Sequence, residues 1–484
     1  MSAAPYETAA RVERAIVIHP DRHDADVVRN ADGMLEEAVS LVAAIGVDVI
    51  SGHIARVVRP RPSTLFGSGK VAEVNELLDA TAAGENVRAD LVIVNGALSP
   101  VQHRNLEKAW RVKVLDRTAL ILEIFGARAS TAEGRLQVDL AHLEYQRSRL
   151  VRSWTHLERQ RGGAGFLGGP GERQIESDRR ALADKITKLK AKLEQVRRTR
   201  TLQRAKRKRA PHAVVALVGY TNAGKSTLFN MLTESTVKAQ DLLFATLDPT
   251  MRSLALPSGE NIILSDTVGF ISDLPTQLIA AFRATLEEVQ EADVLVHVRD
   301  IAHPETDAQR DDVIKVLEEL GIKSDSNDGP LVIEALNKID LLDEDERADA
   351  AAVARVTLDR QCPTLQEPIR VSISASVGEG MPELVALVDR LITSDRTAHS
   401  IVLTPSDGAA RAWLHAHGDV LGAPISTEAH PGEEQLIVRL SEKTAGQFSS
   451  LYPDVRITVE GDAGADFATN ISAQESATST VGQA

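Results

Sequence analysis

A chain of 484 residues exceeds what one hydrophobic core sustains, so about two to four domains are expected. Its 43% hydrophobic and 26% charged residues fit a soluble globular protein, and a net charge of −14 argues against indiscriminate nucleic-acid binding. One cysteine, Cys362, excludes an internal disulfide framework, and no apolar run reaches the roughly 20 residues that span a bilayer. Met1 to Glu13 also lacks the charged and apolar regions of a secretory signal, so a cytoplasmic protein without membrane insertion is expected.

Residues 10–140 alternate between strand and helix patterns. Arg14 to His19 predicts a first strand, and Asp24 to Ile45 has helical spacing with Val28, Leu35, Val39 and Val42 on one face. Val47 to Ile50 and Ile54 to Val58 read as two further strands, and Gly67 to Leu78 begins a helix. Asp90 to Asn95 and Val112 to Asp116 are strand-like on either side of a helix from Gln102 to Trp110. This alternation predicts a mostly parallel α/β domain. Gly67-Ser68-Gly69-Lys70 resembles a fragment of a phosphate loop. Its spacing is short and no clear buried strand precedes it. A glycine turn with Ser68 near a helix N-terminus is favoured, with a second nucleotide site as the alternative.

From His142 to Ala210 there are 20 Lys and Arg against 7 Asp and Glu, a basic segment in an acidic chain. It points to a directed polyanion contact, or to a solvated helix face that is merely basic. Leu140 to Gln160 and Glu172 to Arg204 can both be helical, the latter with Ile175, Leu182, Ile186, Leu189 and Leu193 at near-heptad spacing. Between them, six of the ten residues from Gly162 to Gly171 are glycine, and Phe166 and Leu167 sit among them. The pattern predicts an antiparallel helical hairpin over 141–210, its tip either a contact element or a plain connector.

The densest signal lies in the next segment, 211–395. Ala213 to Val218 reads as a buried strand and Thr227 to Leu232 as the start of a helix. Between them Gly219-Tyr220-Thr221-Asn222-Ala223-Gly224-Lys225-Ser226 fits G-x-x-x-x-G-K-[ST]. Backbone N–H groups of such a loop, with the helix dipole behind them, favour a phosphate. Lys225 would reach the β- and γ-phosphates and Ser226 would ligate Mg²⁺. Thr246 is the candidate switch residue for Mg²⁺ and the γ-phosphate, with Thr250 as the nearby alternative. The strand Ile262 to Ser265 delivers Asp266-Thr267-Val268-Gly269, where Asp266 would hold Mg²⁺ through water and the Gly269 N–H could meet the γ-phosphate. Leu331 to Leu336 leads into Asn337-Lys338-Ile339-Asp340, and Ile369 to Ile373 into Ser374-Ala375-Ser376, which resembles the last guanine-contacting loop. The Asp340 carboxylate can accept both N1–H and N2–H of guanine, which adenine cannot offer. These four motifs together make GTP the expected nucleotide. Phe270 occupies the position where many GTPases carry a water-orienting Gln, so intrinsic hydrolysis is expected to be slow.

Several of these runs resemble those of the HflX GTPases. They are Trp154 to Gln160, Gly169-Pro170-Gly171-Glu172, Gln174 to Arg180, Gly219 to Thr227, and Leu243-Phe244-Ala245-Thr246-Leu247-Asp248-Pro249-Thr250. The resemblance covers roughly residues 10–395. It implies that Thr227 and the Phe244, Ala245, Thr246, Leu247 and Asp248 run join the nucleotide site, and it favours Thr246 over Thr250. It also implies a cytoplasmic GTPase whose hairpin approaches the peptidyl-transferase region of the large ribosomal subunit, contacting rRNA. Ribosome splitting or rescue follows, with hydrolysis stimulated by the ribosome. Leu167 stands where many members have a basic residue, and Arg173 replaces a small hydroxyl residue. Two other readings remain open at this stage: a regulatory GTPase acting on a protein partner, and an RNA-remodelling NTPase using the amino-terminal domain.

Strands at Ser400 to Leu403, Gln435 to Leu440 and Val455 to Val459, with a helix near Asp407 to His417, predict a small α+β domain over 396–460. Gly461 to Ala484, rich in Ala, Ser, Thr and Gly, is expected to be a disordered tail. A monomer is expected.

Overall fold

A computed structural model describes residues 12–22, 30–84, 89–160, 170–207, 213–233, 250–272, 288–322, 329–358, 360, 363–394, 396–426 and 434–459. The glycine tip at 161–169, the run containing Phe244 to Asp248, and the tail lie outside the described residues. The chain divides into two compact units, one of residues 1–210, 214–254 and 262–381, the other of residues 211–213, 255–261 and 382–484. The fold is mixed α/β, with a parallel amino-terminal sheet, a nucleotide-type mostly parallel sheet and a carboxy-terminal antiparallel sheet.

In the first unit, β1 (Arg14–Asp21), β2 (Asp48–Arg56), β3 (Leu91–Val94) and β4 (Lys113–Asp116) form a parallel sheet in the order β2-β1-β3-β4. Helices α1 (Ala31–Ala43), α2 (Ser68–Gly84) and α3 (Pro100–Trp110) connect the strands. β1 and β3 are buried on both faces, which is why they read as continuous apolar runs. β2 is one strand, whereas the sequence suggested two with a break at Ser51-Gly52. Ser51 and Gly52 pair with Ile16 and Val17, and Gly52 lets Leu35 of α1 pack close; a Cβ there would lie 3.3 Å from a Leu35 methyl. α2 begins at Ser68 after an irregular turn, and Lys70 pairs with Glu73 at 2.6 Å. That local environment is the expected glycine turn rather than a strand-to-phosphate loop.

The helix α4 (Arg117–Arg128) was absent from the sequence reading. Its residues Ala119, Leu120, Ile121, Leu122, Ile124 and Phe125 are all buried, so no amphipathic stripe marks it. Asp116 caps it by accepting from the Ala119 N–H at 2.9 Å. The hairpin follows as α5 (Ala132–Gln160) and α6 (Pro170–Arg207); α5 starts eight residues before Leu140, still within the described residues. Leu182, Ile186, Leu189, Leu193 and Val196 form the buried or half-buried seam of α6. Their alternating four- and three-residue spacing is that of a coiled-coil contact. Lys190 pairs with Glu144 across the hairpin at 2.9 Å.

The second sheet runs β10-β9-β8-β5-β7-β6, from β5 (Val214–Val218), β6 (Thr250–Ala255), β7 (Asn261–Asp266), β8 (Val294–Asp300), β9 (Leu331–Asn337) and β10 (Ile369–Ser372). Helices α7 (Lys225–Thr233), α8 (Thr306–Glu319) and α9 (Glu344–Thr357) belong with it. A continuous core joins Ala15, Val17, Leu41, Ile93 and Phe125 of the first sheet's layer to Ala216, Val218, Phe270 and Leu295 of the second.

Glu334, in the middle of β9, is fully buried and accepts from Arg299 of β8, Arg310 of α8 and Arg370 of β10 at 3.1, 2.9 and 2.6 Å. Burial alone would raise its pKa, but the guanidiniums, Arg299 foremost, override it and hold the carboxyl at about 2. Because this folded value lies below the ordinary one, the stabilisation is full above about pH 4.5 and is lost as pH falls toward 2. Removing the carboxylate leaves three clustered cations. Glu334→Ala is therefore expected to cost about 3–5 kcal/mol, read as a lower urea midpoint at neutral pH. An unchanged midpoint would show that the cluster contributes nothing net.

In the second unit, β11 (Arg396–Leu403), β12 (Asp419–Ser426), β13 (Glu434–Ser441) and β14 (Arg456–Val459) form an antiparallel sheet in the order β12-β13-β11-β14. Helices α10 (Met381–Thr393), α11 (Gly408–His417) and α12 (Glu442–Leu451) accompany it, and Ile401, Leu414, Leu436, Val438 and Phe448 form its core. The sequence reading missed β12 and α12.

Candidate nucleotide-binding site

The sequence-marked residues converge at the carboxyl ends of β5, β7, β9 and β10, where open parallel sheets present their ligand crevice. β5 ends at Val218, residues 219–224 form the loop, and Lys225 opens α7. Asn222 at φ +60° and Gly224 at φ +95° turn the backbone so that the loop curls over the helix N-terminus. A Cβ on Gly224 would collide with the Asn337 amide, so glycine there permits the close approach of the loop to β9.

Lys225 is buried, and its ammonium donates to the carbonyls of Gly219 at 3.0 Å and Tyr220 at 2.6 Å. Burial lowers its pKa to about 8, against the opposing pull of Asp266. Ser226 Oγ donates to Asp266 Oδ2 at 2.8 Å. A hydroxyl and a carboxylate side by side at the head of α7 are the hard oxygen donors that Mg²⁺ selects, so the pair fits that ion. Thr227 is half-buried in the same helical turn.

Thr267 anchors the segment after β7 by donating to the Leu217 carbonyl at 2.6 Å, and Val268 is buried. Gly269 lies against the loop; a Cβ there would sit 2.8 Å from Thr221 Cγ2 and 3.1 Å from Lys225 Nζ. Phe270 then forms a bridge with the loop: its N–H donates to the Gly219 carbonyl at 3.1 Å, and its carbonyl accepts from the Thr221 N–H at 2.8 Å. Its side chain is buried in the core.

At the other end, Asn337 links three motifs. Its Nδ2 donates to the Ala223 carbonyl at 2.8 Å, and its Oδ1 accepts from the Ala375 N–H at 2.9 Å. Lys338 adopts φ +68° and pairs with Asp300 at the end of β8, 2.6 Å away. Ile339 is buried, and the Asp340 carboxylate accepts from Ser374 Oγ at 2.6 Å and Ser376 Oγ at 3.3 Å. Sequence reasoning missed Asp300, whose only signal was its place at a strand end. It also missed Glu37, Arg117 and Ser272, which meet beside Tyr220 and carried no motif.

Three family models match successive segments: "GTP-binding GTPase N-terminal" over residues 32–126, "GTP-binding GTPase Middle Region" over 128–207, and "50S ribosome-binding GTPase" over 214–338. The GTPase HflX of Magnetococcus marinus is 46% identical over 444 residues, covering 91% of this chain and 95% of its own. The GTPase HflX of Escherichia coli is 43% identical over 381 residues, covering 79% and 84%. That of Lacrimispora saccharolytica is 40% identical over 413 residues, covering 84% and 90%. Among the described residues no helix is long and apolar enough to cross a membrane. A phosphate loop, a guanine-type carboxylate and relatives matched along nearly their full length lead to one assignment: the chain belongs to the HflX family of GTPases and is a GTP hydrolase.

Proposed function

We propose that this GTPase binds the large ribosomal subunit through its helical hairpin and acts in splitting, rescue or recycling of ribosomes in the cytoplasm, with hydrolysis stimulated by the ribosome. The observation that carries this reading is the hairpin: Arg179, Arg180, Lys185, Lys188, Lys190, Lys192 and Arg198 of α6 are exposed along a helix of 38 residues. Their excess over the exposed Glu176, Asp178, Asp184 and Glu194 of the same helix suits a phosphate-lined RNA cavity. Its root is fixed. Asp116 accepts from the Tyr145 hydroxyl and from Arg149, each at 2.6 Å, and Arg149 lies 4.4 Å above the Tyr145 ring. Burial, reinforced by Asp116, pushes the Tyr145 hydroxyl above its usual range, so it stays a proton donor.

In this reading the loop from Gly219 to Thr227 cradles the phosphates, and Lys225 turns from its carbonyl partners to the β- and γ-phosphates. Ser226 and Asp266, with Thr246, hold Mg²⁺, which when bound neutralises phosphate charge. Gly269 offers its N–H to the γ-phosphate. Asn337, Lys338, Asp340 and the Ser374-Ala375-Ser376 run take the guanine base. The protein acts as a monomer.

The test is cosedimentation with purified large subunits in a non-hydrolysable GTP analogue, across a salt series. Binding that weakens steeply with salt is expected, because each phosphate contact releases a counterion. Deleting residues 163–169 is expected to leave nucleotide affinity intact and to weaken subunit binding while abolishing ribosome splitting. A deletion variant with full ribosomal activity would make the hairpin a spacer and favour a regulatory GTPase acting on a protein partner.

A further inference from the structure

The segment after Gly269 is held from the amino-terminal side. Phe270 and Ile271 are buried in the core shared by the two parallel sheets, and Ser272 is buried beside them. Four side chains meet at that point: Glu37 of α1, Arg117 of α4, Tyr220 of the phosphate loop, and Ser272. Arg117, with a side chain only 5% exposed, donates to Glu37 Oε1 at 2.6 Å, to Ser272 Oγ at 2.8 Å and to the Ser272 carbonyl at 3.0 Å. Its other terminal nitrogen donates to Asn95 Oδ1 at 2.6 Å, and Asn95 donates in turn to the Met34 carbonyl of α1 at 2.9 Å. The Tyr220 hydroxyl donates to Glu37 Oε2 at 2.8 Å and accepts from the Ser272 N–H at 2.9 Å.

One hydroxyl therefore ties together α1, the second residue of the phosphate loop, and the chain three residues beyond Gly269. A buried ion pair of this kind is weak evidence for stability, because desolvating both charges offsets most of their attraction. It is strong evidence for a fixed geometry, since every partner is directional and removing one strands a buried charge. The residue whose position it fixes is Gly269. With Thr267 anchored to the Leu217 carbonyl on one side, and Phe270 bridged to Gly219 and Thr221 and Ser272 clamped on the other, the Gly269 N–H has little freedom to move.

We propose that Glu37 and Arg117 are positioning residues for the γ-phosphate end of the site: through Tyr220 and Ser272 they fix Gly269 and thereby favour a nucleoside triphosphate over a diphosphate. The inference rests on the nucleotide reading above, in which Gly269 meets the γ-phosphate. A diphosphate leaves that group unused, so the clamp acts on the ratio of the two affinities rather than on both alike.

The experiment uses the full chain, with fluorescent GDP and a fluorescent non-hydrolysable GTP analogue, and compares Tyr220→Phe, Glu37→Gln and the double variant. Each single variant is expected to lose about tenfold in affinity for the GTP analogue and less than about threefold for GDP, the loss of one hydrogen bond to a charged group. The double variant is expected to lose less than the product of the two single losses, because the substitutions share the Tyr220–Glu37 contact. Tyr220→Phe removes one oxygen and keeps the measurement available if Glu37→Gln fails to fold. Equal losses for both nucleotides, unchanged affinities, or losses that multiply in the double variant would each overturn the proposal. If the unaltered protein bound neither nucleotide, the site reading and the proposal would fall together; if it bound both with an unmoved ratio in the variants, only the clamp would fall.

Discussion

Asp340→Asn is expected to lower GTP affinity by about a hundredfold and to admit xanthosine nucleotides in its place. The carboxylate can accept N1–H and N2–H of guanine together, and hydrogen bonds to a charged group contribute about 1.5–3 kcal/mol each. Asparagine keeps one acceptor and turns an NH₂ toward the second guanine donor, so one attraction becomes a clash of donors. Xanthine carries a carbonyl at that position and accepts from the new amide. The geometry predicts a clean swap, because Ser374 and Ser376 donate to the two Asp340 carboxylate oxygens at 2.6 and 3.3 Å and can hold an amide in the same place. Sites built on such pairs discriminate by roughly 10⁴–10⁵, so the change in preference should exceed the loss in affinity. Titrating the folded variant with fluorescent guanosine and xanthosine diphosphates decides it. GTP affinity equal to that of the unaltered protein would remove Asp340 from the base site.

Purified large ribosomal subunits are expected to accelerate GTP hydrolysis by about 10³–10⁵, the range by which a partner supplying a missing catalytic element raises turnover. The side chain at 270 explains why the isolated protein should be slow. Phe270 cannot orient water, its side chain is buried in the core, and its backbone is held by bonds to Gly219 and Thr221. Phe270→Gln is not expected to restore fast hydrolysis, since the new amide would be buried in the same apolar pocket at a cost of about 1–3 kcal/mol. Phosphate release with and without subunits is the measurement. Equal rates, under conditions where binding is demonstrated, would rule out activation by this partner.

The nucleotide site was legible because phosphate and guanine chemistry constrain short runs of residues. The loop at 219–226, Asp266, Asn337, Asp340 and Ser374 each came from a local pattern, and the fold brings them to the carboxyl ends of one sheet's strands. What the pattern could not yield was a partner distant in sequence. Arg117 and Ser272 are 155 residues apart, and Glu37 and Tyr220 are 183 apart, and no local motif joins them. Elements failed for a related reason. α4 is apolar on nearly every side and offers no stripe to read, while Ser51-Gly52 looks like a turn until Leu35 is seen to need the space. Thr246, favoured over Thr250 by the resemblance to the HflX GTPases, lies outside the described residues.

Asp116 and Arg117 are consecutive residues, yet one grips the hairpin and the other grips the chain beyond Gly269. In mechanical terms they are the two jaws of a fulcrum one peptide unit wide. From Tyr145 to Gln160 the arm extends about 22 Å past its grip, at the usual 1.5 Å rise per residue. A tilt of about 5° at the root would carry Gln160 through roughly 2 Å, enough to break a hydrogen bond made at that end. Angular play at a single turn of backbone is thereby magnified into ångströms at the far end of the arm, and stiffness at that turn sets how sharply the arm can be aimed.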